Sequence, residues 1–418
     1  MLLEISGQWY DCTDFADFHP GGSHLLRILD HQDVTELFRA NHRGPAARAA
    51  LKRLPLVQRR STPHVPSRLA RDFAKLAADV EAAGFYRPCT LHYVPRAGSL
   101  ALLLAASVAT PHPALSAALF ALFLQQIAFV GHDAGHNSVL QTPHANARLG
   151  LVVGNLLSGV AISWWKATHN THHAATNSLD YDPDIQHAPA LVLSPAFLDT
   201  PAPVYSRYHE RALQISPTWR RVVRWQHWYF YPLMAVARFN LYAQSWAFVA
   251  RQRDFAGALC LAGFHAGLLA WLLSWRTWGD AAAWLLLSHA LAGILHVQIA
   301  VSHFFMEFYP GAAHAGTPRG ERFLRTQLAT TTDIECPAWM DWWHGGLQFQ
   351  VAHHLFPRVP RDRLRELTAW VQAFCAEHKL AYHATGWCAA NCAMVRVLRE
   401  AGKAGDGSVV AEACHAAG

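Results

Sequence analysis

Long stretches without a formal charge set the first limit on this chain. Between Ala97 and Gly131 there is no Asp, Glu, Lys or Arg. As one helix that stretch would extend about 52 Å, well beyond the ~30 Å hydrocarbon core of a bilayer. Pro111-His112-Pro113 interrupts it. The sequence therefore predicts two spans, at about residues 97–110 and 114–131, joined by a tight turn. Phe255–Trp275 and Ala281–Met306 are two further charge-free runs, separated by RTWGD. They read as spans at about 255–275 and 281–306. Leu149–Ile162 is apolar but too short to cross easily, so it is expected at the interface or as a re-entrant segment. Of the whole chain, 52% is hydrophobic and only 15% charged, against about a quarter charged in soluble domains. A multi-pass membrane protein fits this pattern. The positive-inside rule puts the arginine-rich block from Arg207 to Arg253 on the cytosolic side.

The residues before the spans differ in kind. Residues 1–42 hold seven acids against Arg27 and Arg39, and residues 43–75 hold nine Lys/Arg against Asp72 alone. An acidic head suits a cationic protein partner. A basic neck suits anionic lipid headgroups or, equally, plain solvent. Residues 1–60 read as a small soluble domain and 61–96 as a basic linker. The linker includes a helical segment, SRLARDFAKLAADVEAAG, ending at Gly84. Residues 97–400 read as the membrane domain and 401–418, rich in Gly and Ala, as a disordered tail. The opening residues are too polar for a cleavable signal peptide. The eight cysteines form no CxxC pair, which fits a reducing compartment and offers no zinc ribbon or disulfide framework.

Histidine is the outlier, with 27 residues, many in tight groups. HDAGH places His132 and His136 at i, i+4 on one helix face. WWKATHNTHHAATNSLDYDPDIQH packs His169, His172 and His173 into five residues, again on one face. Asp180, Asp182 and Asp184 follow around Pro183. Ligating imidazoles commonly need such carboxylates on their second nitrogen. QVAHH supplies Gln350, His353 and His354. Two spans lie between the second and third clusters, and two between the soluble domain and the first. All of them therefore share one side of the membrane. Seven histidines are too many for one zinc ion and suit two metals, and imidazoles with open coordination positions suit oxygen-activating iron. A zinc-protease HExxH is absent, and the one Glu-x-x-His spacing, Glu412–His415, is unpaired. The fourth span adds His289, His296 and His303 at seven-residue steps, roughly one face. His303, nearest the cytosolic end, is the expected extra ligand. His289 and His296 are expected to be packed, hydrogen-bonded histidines.

HPGG at His19–Gly22 is a sharp turn whose glycines let backbone approach a flat ligand closely. SHLLRIL and DVTELFRANH read as short amphipathic helices, and His42 closes the second. The pattern WYDCTDFADFHPGG…QDVTELFRANH closely resembles cytochrome b5. That resemblance implies haem b held between His19 and His42. With both axial positions filled, such a haem passes electrons rather than activating a substrate. The histidine boxes resemble the membrane fatty-acid desaturases. The fused haem domain, with Gln350 opening the third box, is similar to their front-end subgroup. WWKATHNTHHAATNSLDYDPDIQH, WQHWYFYPLMAVARFNLYAQS and WMDWWHGGLQFQVAHHLFPRVPR read most like the plant-type sphingolipid Δ8 desaturases. The resemblance implies two Fe ions on His132, His136, His169, His172, His173, His353 and His354. Gln350 stands in for a histidine as a weaker contributor, and Ala352 departs from the glutamate common before the last pair.

The expected fold is thus mainly α. A small α+β cytochrome b5-like haem domain precedes an α-helical four-span membrane domain with a cytosolic, histidine-rich di-iron cap. The expected activity is O2-dependent desaturation of a lipid chain, with electrons from NADH through a separate cytochrome b5 reductase. A sphingoid long-chain base, within a ceramide, is the substrate the resemblance implies. Front-end desaturation of fatty-acyl lipids and lipid hydroxylation stay open, as does an electron-transfer anchor without an acyl tunnel. The expected setting is the endoplasmic reticulum membrane, with the N-terminus and histidine boxes cytosolic and no nucleic-acid partner.

Overall fold

The computed structural model describes residues 1–42, 44–58, 66–199, 202–311, 317–318 and 320–404. Most of the expected tail, and Arg43, Arg59 and Arg60 of the basic neck, lie outside the described residues.

In the N-terminal domain, β1 (Leu2–Ile5) and β2 (Gln8–Asp11) pair antiparallel, and β3 (Leu56–Val57) adds to β2. Ser6 and Gly7, both at positive φ, make the hairpin turn. Leu3, Ile5 and Tyr10 face a small core with Leu26, Ile28, Leu29 and Val34. These last residues come from or flank α1 (Ser23–Ile28) and α2 (Thr35–Asn41), which α3 (Pro45–Leu51) follows. The linker helix α4 (Arg68–Ala82) is capped by Ser67 Oγ on the Ala70 amide and stops just before Gly84, at φ +78°. Its apolar face, Leu69, Phe73 and Val80, is buried against the C-terminal part of the chain.

Four helical segments are long and apolar enough to cross a membrane. They are α5 (Thr90–Ala109), α6 (Pro113–Gly135), α11 (Phe255–Ser274) and the pair α12 (Trp278–Ala292) and α13 (Ile294–Ala300). Their outward faces carry bare apolar side chains, such as Leu102, Phe255 and Leu259, which lipid would cover. Three boundaries differ from the sequence reading. First, α5 starts at Thr90 rather than near 97, because Arg96 folds back onto the His92 carbonyl and the charge does not stop the helix. Second, α6 runs to Gly135, so His132 lies in its last turn and His136 caps it, rather than following the span. Third, the last span ends at Ala300 and breaks at Gly293. A Cβ at Gly293 would lie 2.7 Å from the Met234 carbonyl oxygen. The expected single face of His289, His296 and His303 does not form. His289 meets Tyr242, His296 meets the Met234 carbonyl, and His303 lies in the turn beyond the helix.

After α6 come α7 (Pro143–Gly150), a π-helical turn (Leu151–Leu156) and α8 (Ile162–Ala174). The apolar Leu149–Ile162 segment is that turn, with Val153, Gly154 and Asn155 buried. A short hairpin of β4 (Tyr205–Ser206) and β5 (Arg211–Ala212) and the helix α9 (Pro217–Val223) lead to α10 (Gln226–Gln252). Beyond the last span lie α14 (Arg322–Thr330), β6 (Asp333–Glu335), α15 (Asp341–His344), α16 (Gln350–Leu355) and α17 (Arg361–Glu377). The parallel strand β7 (Ala384–Gly386) then pairs with β6, and α18 (Trp387–Lys403) closes the chain. The expected tail boundary at 400 falls inside α18, because Ala401 and Gly402 are buried. Gly402 has no room for a Cβ against the Val223 carbonyl.

Candidate metal and haem centres

The three histidine clusters sit on α6, α8 and α16, whose ends converge. Side chains at i and i+3 or i+4 share a helix face, which brings His132 and His136 together on α6, whereas the adjacent His353 and His354 on α16 point apart and feed two groups. Ligand nitrogens of His132, His136, His169 and His353 all lie within 4.8 Å of one another. Those of His172, His303 and His354 form a second such group. His173 stands between them. Its ring stacks on His354 at 4.1 Å, and its Nε2 lies 3.0 Å from His169 Nε2. Gln350 is buried beside His303, within hydrogen-bonding reach of it.

The outward nitrogens are tied down. His172 Nδ1 donates to Asp182 Oδ2 at 2.8 Å, His354 Nδ1 to Gln327 Oε1 at 2.9 Å, and His303 Nδ1 to the Thr330 carbonyl at 3.1 Å. A donated Nδ1–H fixes the tautomer and leaves Nε2 with its lone pair. Five other ring nitrogens of the clusters are left over. Nε2 of His132, His136, His353 and His354, and Nδ1 of His173, are buried without a hydrogen-bond partner among the described residues. Buried polar atoms are normally paired, so this set fits a cation that the imidazoles would share. Burial, then the neighbouring imidazoles, hold His169, His173, His353 and His354 well below the usual histidine range. Neutral imidazole is the ligating form. His172 goes the other way. Burial depresses it, but Asp182 and Asp184 outweigh that and push it up to about 9. Asp182 and Asp184 also form a cation-sized group with His172. Asp182, however, already accepts the backbone amides of Asn177 and Asp184 besides the imidazole. It reads as the carboxylate that orients His172 rather than as a third centre.

Two positions carry a scaffold that the sequence reading missed. Asp133, next to His132, accepts from the Tyr93 hydroxyl at 2.7 Å and from Arg361 Nε. This buried cluster joins α5, α6 and the start of α17. Asp333 accepts the Val351 amide at 2.9 Å and the Tyr382 hydroxyl, and so holds the first turn of α16. The acid inside HDAGH is the one signal that could have pointed to the first cluster. Nothing in the sequence marks Gln327, Thr330 or Asp333.

In the N-terminal domain the His19 and His42 ring centroids are 5.9 Å apart. One iron with a bond of about 2 Å to each ring fits between them. His19 Nδ1 donates to the Gly22 carbonyl at 3.3 Å and His42 Nδ1 to the Phe38 carbonyl at 3.1 Å, which leaves both Nε2 atoms to ligate. Burial, then His19, brings His42 down to about 4, so it is neutral. At Gly21 a Cβ would lie 2.8 Å from the His19 ring, so the glycine also leaves room for that imidazole.

This domain packs on the histidine cluster. Ala174, at the end of α8, and Tyr181 join the edge of its core. His24 meets the Tyr208 ring edge-on at 5.0 Å. Arg358, just beyond α16, donates from Nη1 to the Asn41 carbonyl at 3.1 Å.

Comparison with known proteins agrees with this division. Residues 1–59 match the "Cytochrome b5-like Heme/Steroid binding domain" and residues 109–386 match "Fatty acid desaturase". The chain is 37% identical over 415 residues to a "Delta(8)-fatty-acid desaturase 2" of Arabidopsis thaliana, covering 96% of this chain and 90% of the relative. It is 34% identical over 414 residues to an "Acyl-lipid (9-3)-desaturase" of Borago officinalis, covering 96% and 89%. It is also 34% identical over 376 residues to a "Delta 8-(E)-sphingolipid desaturase" of Lachancea kluyveri, covering 86% and 64%.

Proposed function

The chain belongs to the fatty acid desaturase family, with a cytochrome b5-like haem domain fused in front, and from that premise we propose that it places a double bond at carbon 8 of sphingoid long-chain bases. It is a membrane desaturase, an oxidoreductase acting on lipid. In our reading two Fe ions occupy the two imidazole groups, one on His132, His136, His169 and His353, the other on His172, His303 and His354. His173 lies between them and Gln350 beside the second. The observation that carries this is the pair of adjacent groups with unpartnered inward nitrogens beside a docked bis-histidine domain.

When bound, the iron pair supplies oxygen activation and removal of hydrogen from adjacent carbons. The protein supplies the rest. Asp182, Gln327 and the Thr330 carbonyl aim three imidazoles. Val351, Ala352 and Leu355 bury the third box and keep bulk water away. Each double bond takes up one O2, two electrons and two protons with the two substrate hydrogens, and yields two waters. The electrons enter at the haem domain, whose acidic surface suits a cationic reductase fed by NADH. We place the protein in the endoplasmic reticulum membrane with the haem domain and boxes in the cytosol. The arginines around the boxes support that orientation.

The sphingoid assignment is supported by the name of the Lachancea relative, and the carbon-8 position by the names of both the Lachancea and the Arabidopsis relatives. The aromatic run at the start of α10 adds to it. Trp225 and Trp228 are exposed there, while Phe230 is fully buried. Exposed tryptophans prefer the membrane interface, where a polar headgroup would sit. A second reading, front-end desaturation of acyl lipids, is favoured by the borage relative. Expression in yeast followed by lipid analysis separates them. The expected product is a long-chain base with a new double bond at carbon 8 and little change in fatty acids. A gain confined to fatty acids would move the assignment to acyl lipids.

A further inference from the structure

The contact between the two centres is narrow in sequence and specific in chemistry. His42 caps α2, and the carbonyl next to it, that of Asn41, accepts from Arg358 Nη1 at 3.1 Å. Arg358 lies four residues beyond His354, so one hydrogen bond and a short run of backbone link a haem-ligand position to the third histidine box. The Asn41 carbonyl is among the last of α2, which has no further turn to donate to it. A cation at a helix C-terminus is favourable on charge grounds as well. A cavity between the two domains is lined by Asp33, Glu36 and Leu37 of the haem domain and by Arg322 and Gln327 of the membrane domain. Gln327 is the residue that holds His354 Nδ1. Arg358 and Gln327, two membrane-domain residues of this seam, thus both lead to His354.

We propose that Arg358 is a positioning residue for electron transfer: it docks the His42 end of α2 onto the segment carrying His353 and His354, and fixes the separation that electrons cross. The inference rests on the proposed haem and iron sites. Each crossing oxidises haem iron(II) to iron(III) and delivers one electron to the imidazole-held metal pair. Two crossings accompany each O2 reduced to two waters, with two protons from solvent and two hydrogens from the substrate. The haem is re-reduced by the NADH-linked reductase.

The test uses the full chain in nanodiscs of total yeast lipid, which offer ceramides and glycerolipid acyl chains together. The protein is reduced anaerobically with dithionite, freed of excess, and mixed with oxygenated buffer. Haem absorbance reports reoxidation, and lipid analysis reports double bonds from the first turnover, which draws on electrons already in the metal pair. In Arg358→Gln, haem reoxidation is expected to slow at least tenfold while the first-turnover yield stays at the wild-type value. Arg358→Lys keeps a cationic donor and is expected within about threefold of wild type. Hydrogen exchange over residues 35–42 is expected to rise in Arg358→Gln, a change independent of turnover. Wild-type reoxidation in Arg358→Gln would overturn the proposal. So would a first-turnover yield that falls with it, because Arg358 would then serve the metal site itself. The wild-type trace alone tests the proposed centres, so failure of that reading is told apart from failure of this one.

Discussion

At the scale of single residues, the site depends on atoms that never touch a metal. Asp182 is fully buried and accepts one imidazole and two backbone amides. Asp182→Asn keeps the shape but removes the charge that aims His172. Loss of such an outer partner typically costs about 10–100-fold in metal affinity. Iron content by metal analysis is expected to fall while the helix content of the detergent-solubilised protein stays unchanged. The histidines themselves were legible, because imidazoles at i, i+3 and i+4 must share a face wherever the helix goes. Their partners were not. Thr330 lies 27 residues from His303, and Gln327 the same distance from His354. Such contacts are set by how helices cross, which leaves no period in the sequence. His303 was picked out for its depth near the end of a span, yet it reaches the second group only because the helix has already ended.

At the scale of elements, each charge-free run falls on a helix long and apolar enough to cross a membrane, while the helix ends were set by local chemistry. Arg96 could be tolerated inside α5 because a long side chain can bend back to the helix's own carbonyls. Gly293 could not be read as a break. Its role depends on α10 pressing against it, with the Ala235 Cα only 2.8 Å from where a Cβ would stand. Gly293→Ala therefore forces two backbones apart. Overpacking of this kind costs about 1–3 kcal/mol, and the expected outcome is a lower midpoint of thermal unfolding in detergent. An unchanged midpoint would mean that α10 shifts freely at this crossing. The buried Arg238 on α10 shows the same limit of sequence reading. It counted there as one of several arginines in a cytosolic block. In the fold it is buried, donating to the Ser158 carbonyl at 2.7 Å and to the Tyr242 hydroxyl at 2.9 Å.

At the scale of the whole molecule, two centres with separate cores share one chain. His19→Ala removes a proposed haem ligand in a domain separate from the imidazole groups. Haem absorbance and turnover are expected to vanish while iron content persists, checked by spectroscopy and metal analysis on one sample. The haem domain also carries a pH signature. Burial, then Asp33, raises Glu36 from 4.5 to about 7. The folded domain then binds a proton that the unfolded chain has released, so stability falls as pH rises from about 4.5 to about 7 and stays reduced above. Glu36→Gln is expected to flatten that slope and to unfold at higher temperature than wild type at pH 8, followed at the haem absorbance band. The seam between the domains has one more consequence. A donor tethered beside its acceptor meets it at an effective concentration in the millimolar range, whatever the density of protein in the membrane. In the proposed electron path, delivery to the boxes becomes first order in this chain, and dilution in lipid leaves it untouched. In that path the encounter with a reductase still depends on collision, so supply of reductant, rather than finding a carrier, limits electron delivery in a sparse membrane.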